Sequence, residues 1–161
     1  MRVLGLAALA AFIIDQLSKY LVIHAMELWR VRSIDVLPPV LNFRYGENRG
    51  INFGLFSDGS EASRWVLIGL AIAICAAVLI WVRRHDLGRW PLVGAGFLIG
   101  GALANVLDRL IYGYVLDFLN MSCCGIDNPF VFNLADVFIF GGAIALVFLA
   151  PDPKDSAKKG Q

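Results

Sequence analysis

The 161-residue chain has few of the residues from which metal sites and nucleophilic sites are built. It contains two histidines, His24 and His85, and no His-Glu-x-x-His sequence. Its three cysteines, Cys75, Cys123 and Cys124, are not spaced as a zinc site or a disulfide framework. Zinc sites rely on histidine and cysteine, and a serine or cysteine nucleophile needs a neighbouring base. The sequence therefore predicts no metal and no cofactor, and argues against a serine or cysteine nucleophile.

Charge is also scarce. Asp, Glu, Lys and Arg make up 17% of the residues, whereas 58% are hydrophobic. The formal net charge is +1 and no long basic run occurs, so we expect no nucleic-acid partner. This composition is typical of an integral membrane protein whose surroundings are membrane lipids.

Four apolar stretches are candidates to cross the bilayer core, which is about 30 Å thick. They lie at approximately 3–25, 65–82, 91–109 and 130–150. We predict an all-α membrane protein with four transmembrane helices in one domain, 1–150, and a disordered cytoplasmic tail at 151–161. A cleaved signal peptide is the alternative interpretation of the first stretch, because an arginine and an alanine-rich run imitate one. The apolar run continues well past these alanines, which favours a retained helix.

The one long polar connection, residues 26–64, shows a strand pattern. Apolar and polar side chains alternate over 41–45 and again over 51–55, and turn-forming residues fill 46–50. Pro38 and Pro39 precede this pattern and exclude a helix there. We predict a small periplasmic β-hairpin, or cradle, between the first two helices, lying against the membrane surface.

Basic residues indicate the orientation. Three arginines crowd the short 83–89 connection, and three lysines follow the fourth stretch. Because cytoplasmic loops are enriched in arginine and lysine, we expect both termini and the 83–89 loop to be cytoplasmic. The long 26–64 connection then lies on the outer side.

Acidic residues interrupt the apolar sequence. A carboxylate in the bilayer core costs roughly 2.5–3.5 kcal/mol, so such residues usually have a function. Alternating helix directions bring Asp15, Asp108 and Asp136 towards the outer side, where Asp117 also lies. Asp15 is four residues from Lys19, so the two can pair on one helix face. That pairing leaves a structural role for Asp15 as open as a direct one.

Asp117 and Asp136 have no nearby cation in the sequence, whereas Asp108 is followed by Arg109. Two carboxylates close together in a low dielectric cannot both ionise, so they share a proton. One can then deprotonate water while the other protonates a carbonyl oxygen or a leaving amine. A proton-coupled transporter is the alternative, but it predicts polar residues spread through the membrane depth. Here they gather near one surface, which favours an aspartyl peptidase.

Five short motifs, in order along the chain, resemble one family. The chain resembles lipoprotein signal peptidase (signal peptidase II), a family of four-span aspartyl peptidases of bacterial inner membranes. The segments that carry the resemblance are Asp15-Gln16-Leu17-Ser18-Lys19, Asn48-Arg49-Gly50-Ile51-Asn52-Phe53, Ala104-Asn105-Val106-Leu107-Asp108-Arg109, Val115-Leu116-Asp117-Phe118 and Phe132-Asn133-Leu134-Ala135-Asp136. Asn52 and Ala104 stand where the family usually has alanine and glycine. Another intramembrane aspartyl peptidase is the nearer rival, but the chain has no Gly-x-Gly-Asp.

The resemblance implies that Asp117 and Asp136 are the catalytic pair. It also implies a set of residues that bind substrate or support the site: Asp15, Lys19, Asn48, Gly50, Asn105, Asp108, Arg109, Asn133 and Ala135. The implied partner is a prolipoprotein whose cysteine carries a diacylglyceryl group, cleaved on the amino side of that cysteine. The implied protein is a multi-pass inner-membrane monomer with its site near the periplasmic face, where the hairpin and the 110–130 loop cradle the lipidated segment. A water nucleophile would leave Cys123 and Cys124 dispensable.

Overall fold

The computed structural model describes residues 1–38, 40–50, 61–122 and 128–149. Its elements in chain order are α1 (Arg2–Lys19), a π-helix (Tyr20–Ala25), α2 (Leu28–Val31), β1 (Ser33–Leu37), β2 (Leu41–Asn48), α3 (Glu61–Arg84), α4 (Arg89–Tyr112), β3 (Val115–Met121) and α5 (Leu134–Leu149). Four predicted features lie outside the described residues: the Cys123–Cys124 pair, the second run of alternation over 51–55 with Asn52, Pro39, and the tail at 151–161.

Three of the described helices are long and apolar enough to cross a membrane. They are Arg2–Ala25, Glu61–Arg84 and Arg89–Tyr112, each of 24 residues, which corresponds to about 36 Å at 1.5 Å per residue. The helix α5 is also apolar but has 16 residues, or about 24 Å. It begins at Leu134, four residues later than the predicted span, because Phe132 forms a β-bridge with Leu119. The prediction of a largely helical membrane protein is confirmed.

Glycines on α4 allow α1 to pack directly against it. A Cβ atom added to Gly96 would lie 2.5 Å from the carbonyl oxygen of Leu4, and one added to Gly100 would collide with the backbone of Ala8. The Gly-x-x-x-Gly spacing thus lets two backbones approach more closely than any side chain permits. This contact places the polar end of α1 against the polar end of α4.

Small residues also join α4 to α5. A Cβ atom on Gly101 would lie 2.5 Å from the carbonyl oxygen of Ala135, and Gly142 lies just as tightly against the backbone of Gly94. The helix α4 is therefore the centre of the bundle, with α1 and α5 on two of its faces. By contrast, α3 is mostly exposed, since only 17% of an apolar stretch of 18 residues within it is buried by the rest of the described protein.

The three strands form one antiparallel sheet in the order β1-β2-β3. A small sheet was predicted, but its pairing is corrected in two ways. The hairpin partner of β2 is the preceding strand β1, so Pro38 lies in the turn between them instead of before the first strand. Residues 46–48, predicted as a turn, continue β2.

The strand β3 is a further correction, because the 110–130 region was predicted as a loop. Its residues Leu116 and Phe118 pack on Val22, Ile23 and Leu28, which lie at and just beyond the end of the first helical span. Burial of these apolar side chains fixes the sheet against the outer end of the bundle. It therefore also fixes the position of Asp117, which lies between Leu116 and Phe118.

Candidate active site

Asp117 lies in the middle of β3 and its side chain is 2% exposed. Its partner across the sheet is Gly46 of β2. A Cβ atom on Gly46 would lie 3.4 Å from the Asp117 Cβ and 3.3 Å from the Val131 Cβ. The absence of a side chain at position 46 therefore leaves room around the carboxyl group.

A β-bulge aligns Gly46 with Asp117. Between the pairs Phe43–Leu119 and Gly46–Asp117, β2 advances three residues while β3 advances two. Such an extra residue disrupts the ladder locally and re-aims the side chains beyond it. As a result Gly46, and not Tyr45, is the direct cross-strand partner of Asp117.

Asp136 occupies the first turn of α5 and forms a reciprocal pair with Asn133. The Asp136 N–H donates to Asn133 Oδ1 at 2.9 Å, and the Asn133 N–H donates to Asp136 Oδ2 at 3.3 Å. This arrangement has the form of a capping box, in which residues three apart satisfy each other's free N–H groups at a helix start. The cap holds the Asp136 backbone and carboxylate in a defined orientation.

Asn133 also joins the two acidic residues. Its Nδ2 donates to Asp117 Oδ1 at 2.5 Å, while its backbone N–H is bonded to Asp136. The side chain is completely buried. Asn105 of α4 completes this bridge, because its Nδ2 donates to Asp136 Oδ1 at 3.0 Å and its Oδ1 accepts from Asn133 at 3.3 Å. The structure therefore brings together four of the predicted polar residues.

Burial, and to a smaller extent the negative charge of Asp136, raise the pKa of Asp117 from 3.8 to about 7. Hydrogen bonds from Asn133 and Asn48 and the positive charge of Lys19 act in the opposite direction. Like-charge repulsion between two close carboxyl groups is the condition under which they share one proton. Asp117 is thus protonated over part of the neutral pH range.

A second polar cluster lies behind this pair and is almost free of solvent. Its members Asp15, Lys19 and Asp108 are 0%, 2% and 1% exposed. The Lys19 ammonium group lies 2.7 Å from both Asp15 Oδ2 and Asp108 Oδ2. The predicted pairing of Asp15 with Lys19 is confirmed, and it includes a third member from α4.

The sequence left the partners of Asp108 and Arg109 open, and it did not single out Gln16. The described ion-pair partner of Asp108 is Lys19, whereas the adjacent Arg109 donates to the backbone oxygen of Asn105 at 3.4 Å. Gln16 was not selected, although its Nε2 donates to Asp108 Oδ1 at 2.9 Å. Its position within Asp15-Gln16-Leu17-Ser18-Lys19 was the only signal that could have found it. Arg109 is half-buried and close enough for its charge to act on three carboxyl groups, those of Asp136, Asp108 and Asp117.

The remaining predicted positions, Asn48, Gly50 and Ala135, have turn or backbone contacts, and the Asn48 side chain also hydrogen-bonds to Asp117. The Gly50 N–H donates to Asn48 Oδ1 at 3.2 Å, which closes a tight turn. Gly50 has φ of +85°, and a Cβ atom there would collide with Leu67, so this position requires glycine. Ala135 is completely buried and its N–H donates to Asp15 Oδ1 at 2.7 Å.

Asp117 lines an open cavity of 460 Å³ beside the sheet. The other lining residues come from the end of β2 and from the segment before α5: Gly46, Glu47, Asn48, Arg49, Gly50, Pro129, Phe130 and Val131. Sequence reasoning missed Glu47 and the 129–131 segment, because neither contains an unusual polar residue in apolar surroundings. A cavity of this size beside a carboxyl group can hold an extended peptide segment. Among the described residues, no group of three or more His, Cys, Asp or Glu side chains is placed to hold a metal ion.

Comparison with known proteins gives a consistent result over most of the chain. The family model described as signal peptidase (SPase) II matches residues 7–150. A lipoprotein signal peptidase of Alteromonas mediterranea is 40% identical over 148 residues, which cover 91% of this chain and 79% of the relative. A lipoprotein signal peptidase of Nostoc sp. is 37% identical over 146 residues, which cover 91% of this chain and 87% of the relative.

Solved structures share the fold. One, described as a bacterial membrane enzyme, superposes with a TM-score of 0.72 at 29% identity and covers 88% of both chains. A second of the same description has a TM-score of 0.70 at 29% identity, covering 88% of this chain and 83% of the other. The arrangement of helices and sheet is therefore that of a known membrane enzyme fold.

Proposed function

We propose that Asp117 and Asp136 carry out hydrolysis in this chain, which belongs to the signal peptidase II family. As a member of that family, the protein is a peptidase that removes signal peptides from prolipoproteins. The observation that carries this proposal is the joint attachment of Asp117 and Asp136 to Asn133, which bonds to both acidic side chains. Each acid comes from a different element, β3 or α5, so the pairing is a product of the fold and not of sequence proximity.

The pair acts through one shared proton. The ionised carboxylate accepts a proton from water, whose oxygen attacks the scissile carbonyl carbon, while the protonated carboxyl group donates to the carbonyl oxygen. The tetrahedral intermediate then loses its amine, which takes up the proton that the first carboxylate accepted. As the C=O bond reforms, one hydroxyl of the intermediate returns its proton to the second carboxylate, and the pair again holds one proton. The products are a free carboxyl end on the signal peptide and a free amine on the mature chain.

The surroundings favour Asp117 as the proton donor and Asp136 as the base. The pKa of Asp117 is raised to about 7 by burial and by Asp136, so this carboxyl group holds a proton below that pH. Asp136 accepts hydrogen bonds at both oxygens, from the Asn105 side chain and from the Asn133 backbone. Asn105 and Asn133 are therefore assigned to holding the Asp136 carboxyl group in a fixed orientation.

The 460 Å³ cavity is the proposed seat of the scissile segment. The substrate is a prolipoprotein with a diacylglyceryl-modified cysteine, cleaved on the amino side of that cysteine. Phe130 lines the cavity and is 77% exposed, which provides apolar surface for lipid or apolar side chains. Asn48 and Gly50 also line the cavity, where their tight turn supports backbone contacts with an extended peptide.

We assign the protein to the bacterial inner membrane as a monomer with four spans. The arginines of the 83–89 connection support a cytoplasmic location for that end, and the sheet with Asp117 lies at the other end of the helices. Exposed tryptophans near the ends of helices, Trp29, Trp65 and Trp90, are typical of the membrane interface. The active site then faces the periplasm, next to the lipids that surround the substrate.

Substitution of each acid tests the assignment. Asp117→Asn and Asp136→Asn keep the size of the side chain but remove its charge and its exchangeable proton. The control is Asp35→Asn, which removes an exposed carboxylate from β1 of the same sheet. Each purified variant is reconstituted in proteoliposomes and given a lipidated or an unlipidated prolipoprotein, and the products are measured by mass.

We expect cleavage of the lipidated substrate by the wild type and by Asp35→Asn, and none by the other two variants. A substantial rate in either Asp117→Asn or Asp136→Asn would refute the pair. Equal cleavage of the unlipidated substrate by the wild type would refute the requirement for the diacylglyceryl group.

A further inference from the structure

The buried Asp15–Lys19–Asp108 cluster accepts hydrogen bonds from the backbone amides just before Asp117 and Asp136. Asp15 Oδ1 accepts the N–H of Ala135, the residue before Asp136, at 2.7 Å. Asp108 Oδ2 accepts the N–H of Leu116, the residue before Asp117, at 3.1 Å. Both carboxylates are held by the same ammonium group of Lys19 at 2.7 Å.

Lys19 has a third contact, with a residue that in turn hydrogen-bonds to Asp136. Its Nζ donates to Asn105 Oδ1 at 3.3 Å. Because lysine has donors and no acceptor, Asn105 must turn its oxygen towards Lys19 and its NH₂ group away. That NH₂ group is the one that donates to Asp136 Oδ1 at 3.0 Å.

The hydrogen bonding of this cluster is complete. The three N–H groups of Lys19 have three acceptors, on Asp15, Asp108 and Asn105. Every oxygen of the two carboxylates also has a donor. Lys19 donates to Oδ2 of both, Gln16 donates to Asp108 Oδ1 at 2.9 Å, and the Ala135 amide donates to Asp15 Oδ1. A fully satisfied buried network restricts the atoms it joins to one arrangement.

We propose that Lys19, through Asp15, Asp108 and Asn105, is a positioning residue that sets the relative placement of Asp117 and Asp136. The proposal rests on the assignment of those two acids as the reacting pair. It assigns α1, which supplies neither acid, a direct part in aligning them. A network that served only to hold α1 against α4 would not need to end on the amides that precede both acids.

The test uses a variant that removes Lys19 without changing the net charge of the cluster. Lys19→Met/Asp108→Asn leaves one negative charge on Asp15, the same formal total as in the wild type. An asparagine at position 108 retains an oxygen for the Leu116 amide. The variant loses the ammonium group that binds both position 15 and position 108, and with it the hydrogen bond that orients Asn105.

The matched control is Arg64→Met. Arg64 also bonds a different helix to α4, because its Nη2 donates to the backbone oxygen of Leu110 at 3.0 Å. That contact does not involve the amide before either acid. The variants are reconstituted in proteoliposomes, and kcat and KM for a lipidated prolipoprotein are measured across pH beside folded yield.

We expect kcat of the double variant to fall by about 10- to 100-fold, the scale on which small misplacements of reacting groups act. KM should stay unchanged, because the cluster does not line the substrate cavity. The pH profile of kcat should move to higher pH, since the charge of Lys19 holds the pKa of Asp117 down. Arg64→Met should keep the kcat and the pH profile of the wild type.

Wild-type kcat and pH profile in the folded double variant would overturn the proposal and leave the catalytic assignment intact, provided that Asp117→Asn is inactive. Activity in Asp117→Asn would instead refute the reacting pair itself.

Asp15→Asn is made in parallel, because it keeps an oxygen for the Ala135 amide and leaves Lys19 paired with Asp108. If only this variant folds, a fall in kcat at constant KM supports the proposal, and an unchanged kcat overturns it. If neither variant folds, the cluster is a folding element and the positioning role is rejected.

Discussion

Replacement of Asn133 tests whether one side chain both caps α5 and restrains Asp117. Its Oδ1 accepts the Asp136 N–H at 2.9 Å, and its Nδ2 donates to Asp117 Oδ1 at 2.5 Å. Asn133→Ala removes both bonds. Asn133→Ser keeps a hydroxyl oxygen that can accept the Asp136 N–H, but its shorter side chain does not extend to Asp117.

The two substitutions should differ in stability. Loss of an N-cap costs about 1 kcal/mol, and loss of a hydrogen bond to a charged group costs roughly 1.5–3 kcal/mol. Above pH 7, where Asp117 is charged, Asn133→Ala loses both contributions, or about 2.5–4 kcal/mol. Asn133→Ser retains the cap and should be about 1 kcal/mol more stable than the alanine variant. The free energy of unfolding in detergent, measured with denaturant, checks this order.

The same two substitutions should change the pH dependence of cleavage alike. The bond from Asn133 lowers the pKa of Asp117, so its loss raises that pKa above its value of about 7. Since the reaction needs one proton on the pair, the fall in rate at high pH should move to higher pH in both variants. The assay is single-turnover cleavage in proteoliposomes across pH 5–9.

Equal stability of the two variants would refute the capping function of Asn133. A wild-type pH profile in either folded variant would refute the restraint on Asp117. An opposite shift, towards lower pH, would show that the proton is held elsewhere than on Asp117.

The structure supports the first of three further predictions, and the sequence supports the other two. The pKa of Asp117, about 7 in the folded protein, lies above its ordinary value of 3.8, so this residue lowers stability as pH rises from about 4 to 7 by at most about 1.4 kcal/mol per pH unit. Asp117→Asn should remove that slope and unfold at higher Tm than the wild type at pH 8; a Tm below the wild type would contradict it. Single cysteines placed in the 83–89 loop should resist impermeant thiol reagents in whole cells while one at position 60 reacts, and the reverse labelling pattern would invert the proposed orientation. Replacement of Cys123 and Cys124 by alanine should leave cleavage unchanged at equal protein level, and loss of activity would refute a water nucleophile that needs no thiol.

The long helices and the acidic pair were predictable because each leaves a strong local signal. Apolar runs of sufficient length indicate spans by composition alone. An acidic residue without a neighbouring cation in apolar sequence stands out, as Asp117 and Asp136 do. The pairing of Asp15 with Lys19 was predictable for a similar reason, because residues four apart share a helix face.

The sheet was only partly predictable, because strand pairing depends on contacts between distant residues. Most of Val115–Met121 is buried, and Leu116 and Phe118 pack on residues of the π-helix and α2. Its sequence, Val-Leu-Asp-Phe-Leu-Asn-Met, therefore lacks a clear alternation of apolar and polar side chains. The extension of β2 through Gly46 was unexpected because glycine usually weakens a strand interior. It is tolerated here because its cross-strand partner is Asp117, beside which a larger side chain would be crowded.

The segment from Asn133 to Asp136 shows why the acid at its end requires the residues that precede it. Asn133 is needed as a cap whose second group reaches Asp117. Ala135 must donate its N–H to Asp15, and its carbonyl oxygen packs against Gly101 so tightly that α4 has no side chain there. A bulkier residue at position 135, which is completely buried, would push α5 away from both α1 and α4. The acid at position 136 is therefore placed by a cap, a backbone hydrogen bond and a close helix contact, each dependent on a different neighbour in the sequence.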